Sequence, residues 1–509
     1  MLPPMGYNTW NDMRCDGVSA TRVYAIADAM VSLGLVSRGF TYLVIDDCWQ
    51  APWLDPQGRL VPDHHAFPDG LRVVADYLRQ RGLRLGLYSA RGSRTCAGRP
   101  ASGGHEALHA RQFAHEWHVD YLKYDSCWAS NDHDAAFAQY ATMRDALNAT
   151  GRRVFFSLCG WNAWYAPRGA SLGDSWRIAA DADTFANVYV AIRTNEGLAR
   201  YAGPQKGWND PDMLLGSSGK AAVSLTSVEV QTQFSMWAIM AAPLLIGAPM
   251  NDGLPAADLE TFLNAEVIDV NQDPLGIQGV PVFSNCPPFV PRDNWWMSPW
   301  SMPQDVANAW VTALLVAATL FLAGVIGCAA LQQRRRRGRG GSETSADSGE
   351  EAASLVGGAP QLRRCCSVSG SAHALASLLA NVCLVAGLLA ALTLVATIRA
   401  YRPRIDPCQQ IWARPLHDGT HAACFVNFAP TPIKLHCDAS CVAAVLRGGA
   451  PADVHARATT STPAVRLRDL QRRRDVPGRF RTINTSVEPH GSVLYRLTVV
   501  RAVSDEQAS

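Results

Sequence analysis

The stretch VDYLKYDSC, Val119 to Cys127, sets a lysine two residues before an aspartate at the end of an apolar, alternating run. In a strand, residues two apart share a face, so Lys123 and Asp125 project the same way. An ammonium beside a carboxylate favours the ionised acid, which is what a carboxylate nucleophile needs. SWRIAADAD, Ser175 to Asp183, puts Arg177 and Asp181 in a similar setting, and GWNDPDML, Gly207 to Leu214, is a third segment of this kind. Two such carboxylates from different strand ends are the equipment for breaking a glycosidic bond.

These residues need a scaffold, and the first 275 residues read as one. Short apolar runs alternate with helical patterns: the opening GYNTW, then TYLVIDDCW (41–49), LRLGLYSA (83–90), VDYLKYD (119–125), VFFSLCGW (154–161), WRIAAD (176–181), GWNDPDML (207–214) and PLLIGAP (243–249). After Ser19, a suitable N-cap, Val23, Ile26, Ala27, Met30 and Leu33 recur at helical spacing. Further amphipathic stretches cover 71–82 and 228–242. Eight strand–helix units predict a (β/α)8 TIM barrel. An open doubly wound sheet is the competing architecture, but no GxGxxG follows the first strand. Trp10, Asp46-Asp47, Tyr88, Asp125, Cys159, Asp181 and Asp212-Met213 all fall at the C-terminal ends of these runs, the face on which barrels build their sites.

Bulk composition narrows the function classes. The 509 residues are 48% hydrophobic and 18% charged, a packed chain. A formal net charge of +2 gives no case for nucleic acid. The 14 cysteines include no CxxC pair, which argues against a zinc ribbon and for disulfides in an oxidising lumen. The sequons Asn148-Ala149-Thr150 and Asn484-Thr485-Ser486 agree with a secretory route. The opening MLPPMGYNTW has no basic n-region followed by an apolar h-region, so no signal peptide is expected within this chain.

The middle of the chain has a different character. Trp310 to Leu331 is 22 residues without a charge, and Ala374 to Ile398 is 25 with Asn381 as its one strongly polar residue. Each is long enough to cross a bilayer, which takes about 20 residues. Seven arginines lie between them, Arg334 to Arg337, Arg339, Arg363 and Arg364, with Arg399, Arg402 and Arg404 on the outer flank. The positive-inside tendency puts the linker in the cytoplasm and the flanking domains in a secretory or lysosomal lumen or outside the cell. Two buried core helices are the alternative. Cys365 and Cys366 are candidates for palmitoylation. After residue 405 short strand-like runs follow, QQIWARPL, HAACFVNF, IKLHC and SVLYRLTVV, predicting an antiparallel β-sandwich whose first portion is GIQGVPVF, 276–283. The expected organisation is therefore a barrel over 1–275, a first piece of sandwich over 276–303, an inserted transmembrane hairpin over 304–404, and the rest of the sandwich over 405–509.

At MGYNTW, YLVIDDCW, GLYSARGSRTCAG, YLKYDSC, SWRIAADAD, GWNDPDML, MWAIMAAPLL and VIDVNQDPLGIQG the chain resembles glycoside hydrolase family 27, the α-galactosidases and α-N-acetylgalactosaminidases. The likeness runs to about residue 283 and resumes more loosely at QIWARPLHDG. It implies retaining hydrolysis of α-galactosides, carried by oligosaccharides or glycolipids. Asp125 falls in the family's nucleophile motif and Asp181 in its acid/base motif. Trp10 would wall the sugar, Asp46 and Asp47 would accept from its 4- and 6-hydroxyls, Tyr88 and Lys123 would line the pocket, Arg177 would reach the 2- and 3-positions, and Met213 would close one side. The resemblance also implies the disulfides Cys15–Cys48 and Cys96–Cys127, the absence of any cofactor, and a homodimer, since family members often pair.

Many family members carry Glu directly after the cysteine ending strand five; here Cys159 is followed by Gly160-Trp161-Asn162. That loop reads the substituent at C2. Trp161, Trp164 and Tyr165 look bulky for a pocket admitting an acetamide, so galactose is expected over N-acetylgalactosamine. Set against these readings, Asp46-Asp47 could cap a helix, a lone Lys-x-Asp is usually a surface pair, and Asn209, Asp210 and Asp212 could simply hold a loop. His64-His65 lack a third metal ligand. A galactose-binding membrane lectin would need neither carboxylate.

Overall fold

The computed structural model describes residues 1–130, 132–218, 224–250, 253–291, 403–448 and 463–500. Eight parallel strands form the first sheet: β1 Met5–Asn8, β2 Tyr42–Ile45, β3 Arg84–Ala90, β4 Tyr121–Asp125, β5 Phe155–Cys159, β6 Ser175–Arg177, β7 Trp208–Asp210 and β8 Leu244–Ile246. Their order, β7-β6-β5-β4-β3-β2-β1-β8, follows the sequence with one wrap. The ring closes just beyond β7, where Leu214 bridges Ile246 in parallel and its N–H donates to the Leu245 carbonyl at 2.7 Å. This is a TIM barrel, and its strands are buried on both faces, which is why they read as near-continuous apolar runs.

The crossovers carry α1 Trp10–Met13, α2 Ala20–Ser32, α3 Gly70–Arg79, α4 Glu106–Arg111, α5 His133–Ala149, α6 Ala166–Leu172, α7 Phe185–Asn195, α8 Ser227–Ile239, α9 Ala256–Phe262 and α10 Ala265–Asn271. Several start where a side-chain oxygen satisfies a free backbone N–H. Ser19 accepts from Arg22, Asp132 from Ala135 and Thr184 from Asn187, and Thr226 with Glu229 forms a reciprocal capping box. On α2 the apolar spacing buries Val23, Ile26, Ala27 and Met30 against the barrel.

The C-terminal part is a β-sandwich. β9 Val280–Ser284, β10 Gln409–Pro415, β11 His421–Asn427, β13 Val465–Asp469, β14 Arg474–Phe480 and β16 Ser492–Val499 form one antiparallel sheet, and β12 Ile433–Cys437 pairs with β15 Ile483–Val487 in a second. Alternation splits the large sheet's two faces. Ile411, Ala413, Phe425 and Leu497 meet Leu435, Ile483 and α11 Ala439–Leu446 in the sandwich's own core. Trp412, Cys424, Val426 and Leu494 turn the other way and join the barrel core.

The pairing of β9 with β10 spans the whole central region of the chain: Ser284 sits opposite Gln410, and Cys286 is bonded to Cys408. The two apolar segments 310–331 and 374–398, and the arginine-rich linker with Cys365 and Cys366, lie outside the described residues. Among the described residues no helix is long and apolar enough to cross a membrane.

Candidate active site

The strands end in a cluster of buried carboxylates. Asp46 follows β2 and is almost wholly buried. Its Oδ2 accepts from Lys123 Nζ at 2.8 Å and from Asn8 Nδ2 at 2.8 Å, and its Oδ1 accepts from the Asp47 N–H. Asp47 accepts from the Cys48 N–H on Oδ1 and the Ala97 N–H on Oδ2. Burial raises the Asp47 carboxyl above its ordinary range despite these donors. Asp46 Oδ2 is thus filled by two donors, while Asp46 Oδ1 retains lone-pair capacity for a further one.

Asp125 ends β4. Tyr88 Oη donates to its Oδ2 at 3.0 Å and the Ser126 N–H to its Oδ1 at 2.8 Å, fixing the plane of the carboxylate. Cys96 and Cys127 are bridged, and Cys96 Sγ lies 3.5 Å from Asp125 Oδ2. Cys15 and Cys48 form a second bridge beside Asp47. Cys96, Asp125 and Cys127 are the one close group of three metal-type ligands among the described residues, but a disulfide has no thiolates to offer.

The pairing expected from sequence is different here. Lys123 and Asp125 do share a face of β4, yet the ammonium is engaged by Asp46. Burial pushes the Asp125 carboxyl up to about 7; Lys123 opposes the shift and the Asp181 charge adds to it. Lys123 itself is held well above the ordinary lysine range, because the surrounding carboxylates, Asp46 foremost, outweigh the burial that works against its charge.

Arg177, fully buried at the end of β6, is the second centre. Its Nη2 lies 3.0 Å from Asp181 Oδ1 and its Nη1 2.8 Å from Asp212 Oδ1. Nη1 also lies 3.9 Å from the free, buried thiol of Cys159. The Asp181 side chain is 45% exposed against 2% for Asp212, so Asp181 is the partner that solvent and a ligand can reach. Burial raises Asp212 to about 6 even with Arg177 beside it. Trp10 and Met213 pack into one apolar cluster with Trp208 and Leu245, and the Arg14 guanidinium sits 4.9 Å over the Trp10 ring.

Asn8 has no assigned role in the sequence reading, and Asp212, placed at the site face, has no assigned partner. Asn8 anchors Asp46, and the GYNTW segment that carries it is the only sequence signal. Asp212 anchors Arg177, binds the Ala182 N–H at 2.7 Å, and holds φ at 93°, a left-handed value that a non-glycine residue keeps only under constraint. Asp210 serves that loop by accepting the Asp212 N–H, and Asn209 bonds Trp176, Leu198 and Gln278.

The loop after β5 also differs from its reading. Trp164 and Tyr165 do not crowd this site; they stack on each other and pack on His133, Phe137 and Tyr140 of α5. A Cβ on Gly160 would lie 1.8 Å from the Tyr165 ring, so the ring occupies the space a side chain at 160 would need. Trp161, fully buried, clusters with Cys127 and Cys159.

A parallel eight-stranded barrel with charged side chains gathered beyond its strand C-termini is the architecture on which barrel enzymes build their sites, and the comparisons name the family. The family model for alpha galactosidase A matches residues 2–273, and that for the alpha galactosidase C-terminal beta sandwich domain matches 406–497. Alpha-galactosidase 3 of Arabidopsis thaliana is 45% identical over 289 residues, covering 56% of this chain and 63% of that protein. The alpha-galactosidase of Cyamopsis tetragonoloba is 44% identical over 287 residues, 55% of this chain and 67% of that protein. The match thus spans about two thirds of these relatives' length. Alpha-galactosidase I from Mortierella vinacea superposes with a TM-score of 0.66 at 22% identity, covering 98% of this chain and 97% of that one, which speaks for the fold. The chain belongs to glycoside hydrolase family 27, the alpha-galactosidases.

Proposed function

We propose that this protein is a retaining α-galactosidase that removes terminal non-reducing α-D-galactosyl residues from oligosaccharides or glycoconjugates by double displacement. The observation that carries the reading is the Asp125 carboxylate, held through both oxygens by Tyr88 and Ser126, with the Arg177–Asp181 pair as its electrostatic neighbour. Asp125 attacks the anomeric carbon while Asp181, the exposed member of its group, protonates the departing oxygen. Asp181 then takes a proton from the water that releases galactose. Asp46 and Asp47 accept from the 4- and 6-hydroxyls with their remaining lone pairs. Lys123 and Tyr88 line the pocket, Arg177 addresses the 2- and 3-positions, and Trp10 and Met213 supply apolar walls. Proton NMR of the first-released sugar tests this: α-galactose appearing before mutarotation supports double displacement, and β-galactose overturns it.

The rival N-acetylgalactosaminidase reading is less favoured. The relatives this chain matches are alpha-galactosidases, and the loop after β5, which in this family reads the C2 substituent, carries the buried Trp161. A silent lectin would have no use for a restrained Asp125 and an exposed Asp181.

Membrane attachment is part of the proposal, with spans at 310–331 and 374–398 inserted between 304 and 404, a cytoplasmic linker, and the enzyme in an oxidising lumen or outside the cell. Four disulfides among the described residues support that compartment. Antiparallel β9–β10 pairing and the Cys286–Cys408 bridge bring the ends of the intervening chain together, which suits a two-span excursion returning to its starting side. Enzyme that stays in the pellet at pH 11 and leaves it in detergent supports the spans; release by alkali refutes them. Pairing of two chains, also proposed, is read by light scattering.

A further inference from the structure

Arg91 is the first residue after β3, and its side chain is buried to 1% exposure. Its backbone N–H extends the β3–β4 ladder by donating to the Asp125 carbonyl at 2.9 Å. The guanidinium reaches across the segment that follows Asp125. Nε donates to Ser126 Oγ at 3.0 Å, Nη2 to the Ser130 carbonyl at 2.7 Å, and Nη1 to Gln139 Oε1 on α5.

The proton directions in this group are forced. Tyr140 Oη donates its one proton to the Tyr124 carbonyl at 3.1 Å, so at its 2.9 Å contact with Ser126 it accepts. Ser126 Oγ has therefore spent its proton on Tyr140 and must accept from elsewhere; Arg91 Nε supplies that donor. The chain Arg91, Ser126, Tyr140, Tyr124 is directed from end to end. It fixes the residue whose backbone N–H holds Asp125 Oδ1. The approach is close: a Cβ on Gly92 would lie 2.2 Å from the Cys127 carbonyl oxygen and 2.6 Å from that of Trp128.

We propose that Arg91 is a positioning residue for the Asp125 carboxylate, acting through Ser126, and this rests on the α-galactosidase reading above. Tyr88 fixes one oxygen of Asp125 directly. Arg91 fixes the peptide that holds the other, so together they set the angle at which the carboxylate meets the anomeric carbon.

The test compares wild type with Arg91→Met, Ser126→Ala and the double variant on an aryl α-galactoside, with galactose as competitive inhibitor. Misplacing a reacting group costs rate more than affinity. Arg91→Met should lose about 10- to 100-fold in kcat while the galactose inhibition constant changes less than about threefold. The acid limb of kcat/KM should move to higher pH, because a loosened Ser126 N–H stabilises the carboxylate less; mere loss of folded enzyme would scale the profile without moving it. Ser126→Ala should lose several-fold in kcat, and the double variant should lose no more than Arg91→Met, as two links in one chain require. Unchanged kcat in either single variant, parallel loss of kcat and galactose binding, or additive losses would overturn the positioning role. If Arg91→Met does not fold, Ser126→Ala with Arg91→Lys decides it by the same split. A wild type inactive on the substrate would overturn the underlying reading instead.

Discussion

The Lys123 ammonium lies 2.8 Å from Asp46 Oδ2, across the gap between two strand ends, and not on Asp125 two residues further along its own strand. Sequence neighbours on one face are thus parted by the barrel. Substituting Lys123 by Met leaves Asp46 buried with one donor fewer and no counterion. Breaking a buried pair from one side costs about 3–5 kcal/mol. Urea unfolding of Lys123→Met should lose stability of that order, and Asp125, deprived of an opposing cation, should titrate higher. A midpoint equal to wild type would remove the pair from the account.

The raised Asp125 carboxyl gives a signed pH dependence. Its folded value of about 7 exceeds the ordinary 3.8, so the folded chain holds this proton more tightly than the unfolded chain does. Stability from this group is present at low pH and declines as pH rises through that window. Activity runs the opposite way, because the nucleophile must be ionised. The kcat/KM profile should fall on its acid side with an apparent midpoint near 7. Asp125→Asn should abolish turnover and melt higher than wild type at pH 8, by on the order of 1–3 kcal/mol, with the gap closing toward pH 4. An inert acid limb in wild type, or an Asn variant less stable at pH 8, would contradict this.

Asp181 donates the proton to the leaving oxygen, so its loss should be graded by leaving group. In kcat/KM, which reports the first step, Asp181→Asn should cost 4-methylumbelliferyl or nitrophenyl galactosides little and an alkyl galactoside about 10²- to 10⁴-fold, while loss of the base lowers kcat on the aryl substrates too. Equal losses on good and poor leaving groups would assign Asp181 another task.

The Cys96–Cys127 bridge closes a separation of 31 residues around the loop beside Asp125. Loop-closure entropy alone gives about 3–4 kcal/mol for that span. Cys96→Ser should lower the melting temperature and also slow turnover, since Cys96 Sγ and Tyr88 Oη both touch Asp125 Oδ2. Unaltered melting would contradict the bridge's structural weight.

How much of this was legible beforehand depended on range along the chain. Strands of the barrel show themselves as apolar runs because both faces are buried, and Ser19 marks a helix start by local chemistry. In the sandwich, β13, β14 and β15 went unread: RLRD and RDVPGRF alternate charge with few apolar residues, since one face meets water. The site's residue types were visible, but their partners were not. Lys123 with Asp46 spans 77 positions, and no spacing rule reaches that far. Asp212 stood at the site face with loop-holding as its alternative, because the role that decides between them depends on Arg177, delivered by another strand. Trp164 and Tyr165 read as pocket walls because bulk is a property of sequence, whereas the direction a ring faces belongs to the fold.

The central claim is a galactose-specific hydrolase, and the most direct test is the ratio of kcat/KM on an aryl α-galactoside to that on the matching α-N-acetylgalactosaminide, with Asp125→Asn as control. A ratio above about 100 is expected, the order of discrimination that a pocket shaped for one substituent reaches, with no turnover by the control. A ratio below one, or activity surviving in Asp125→Asn, would contradict it.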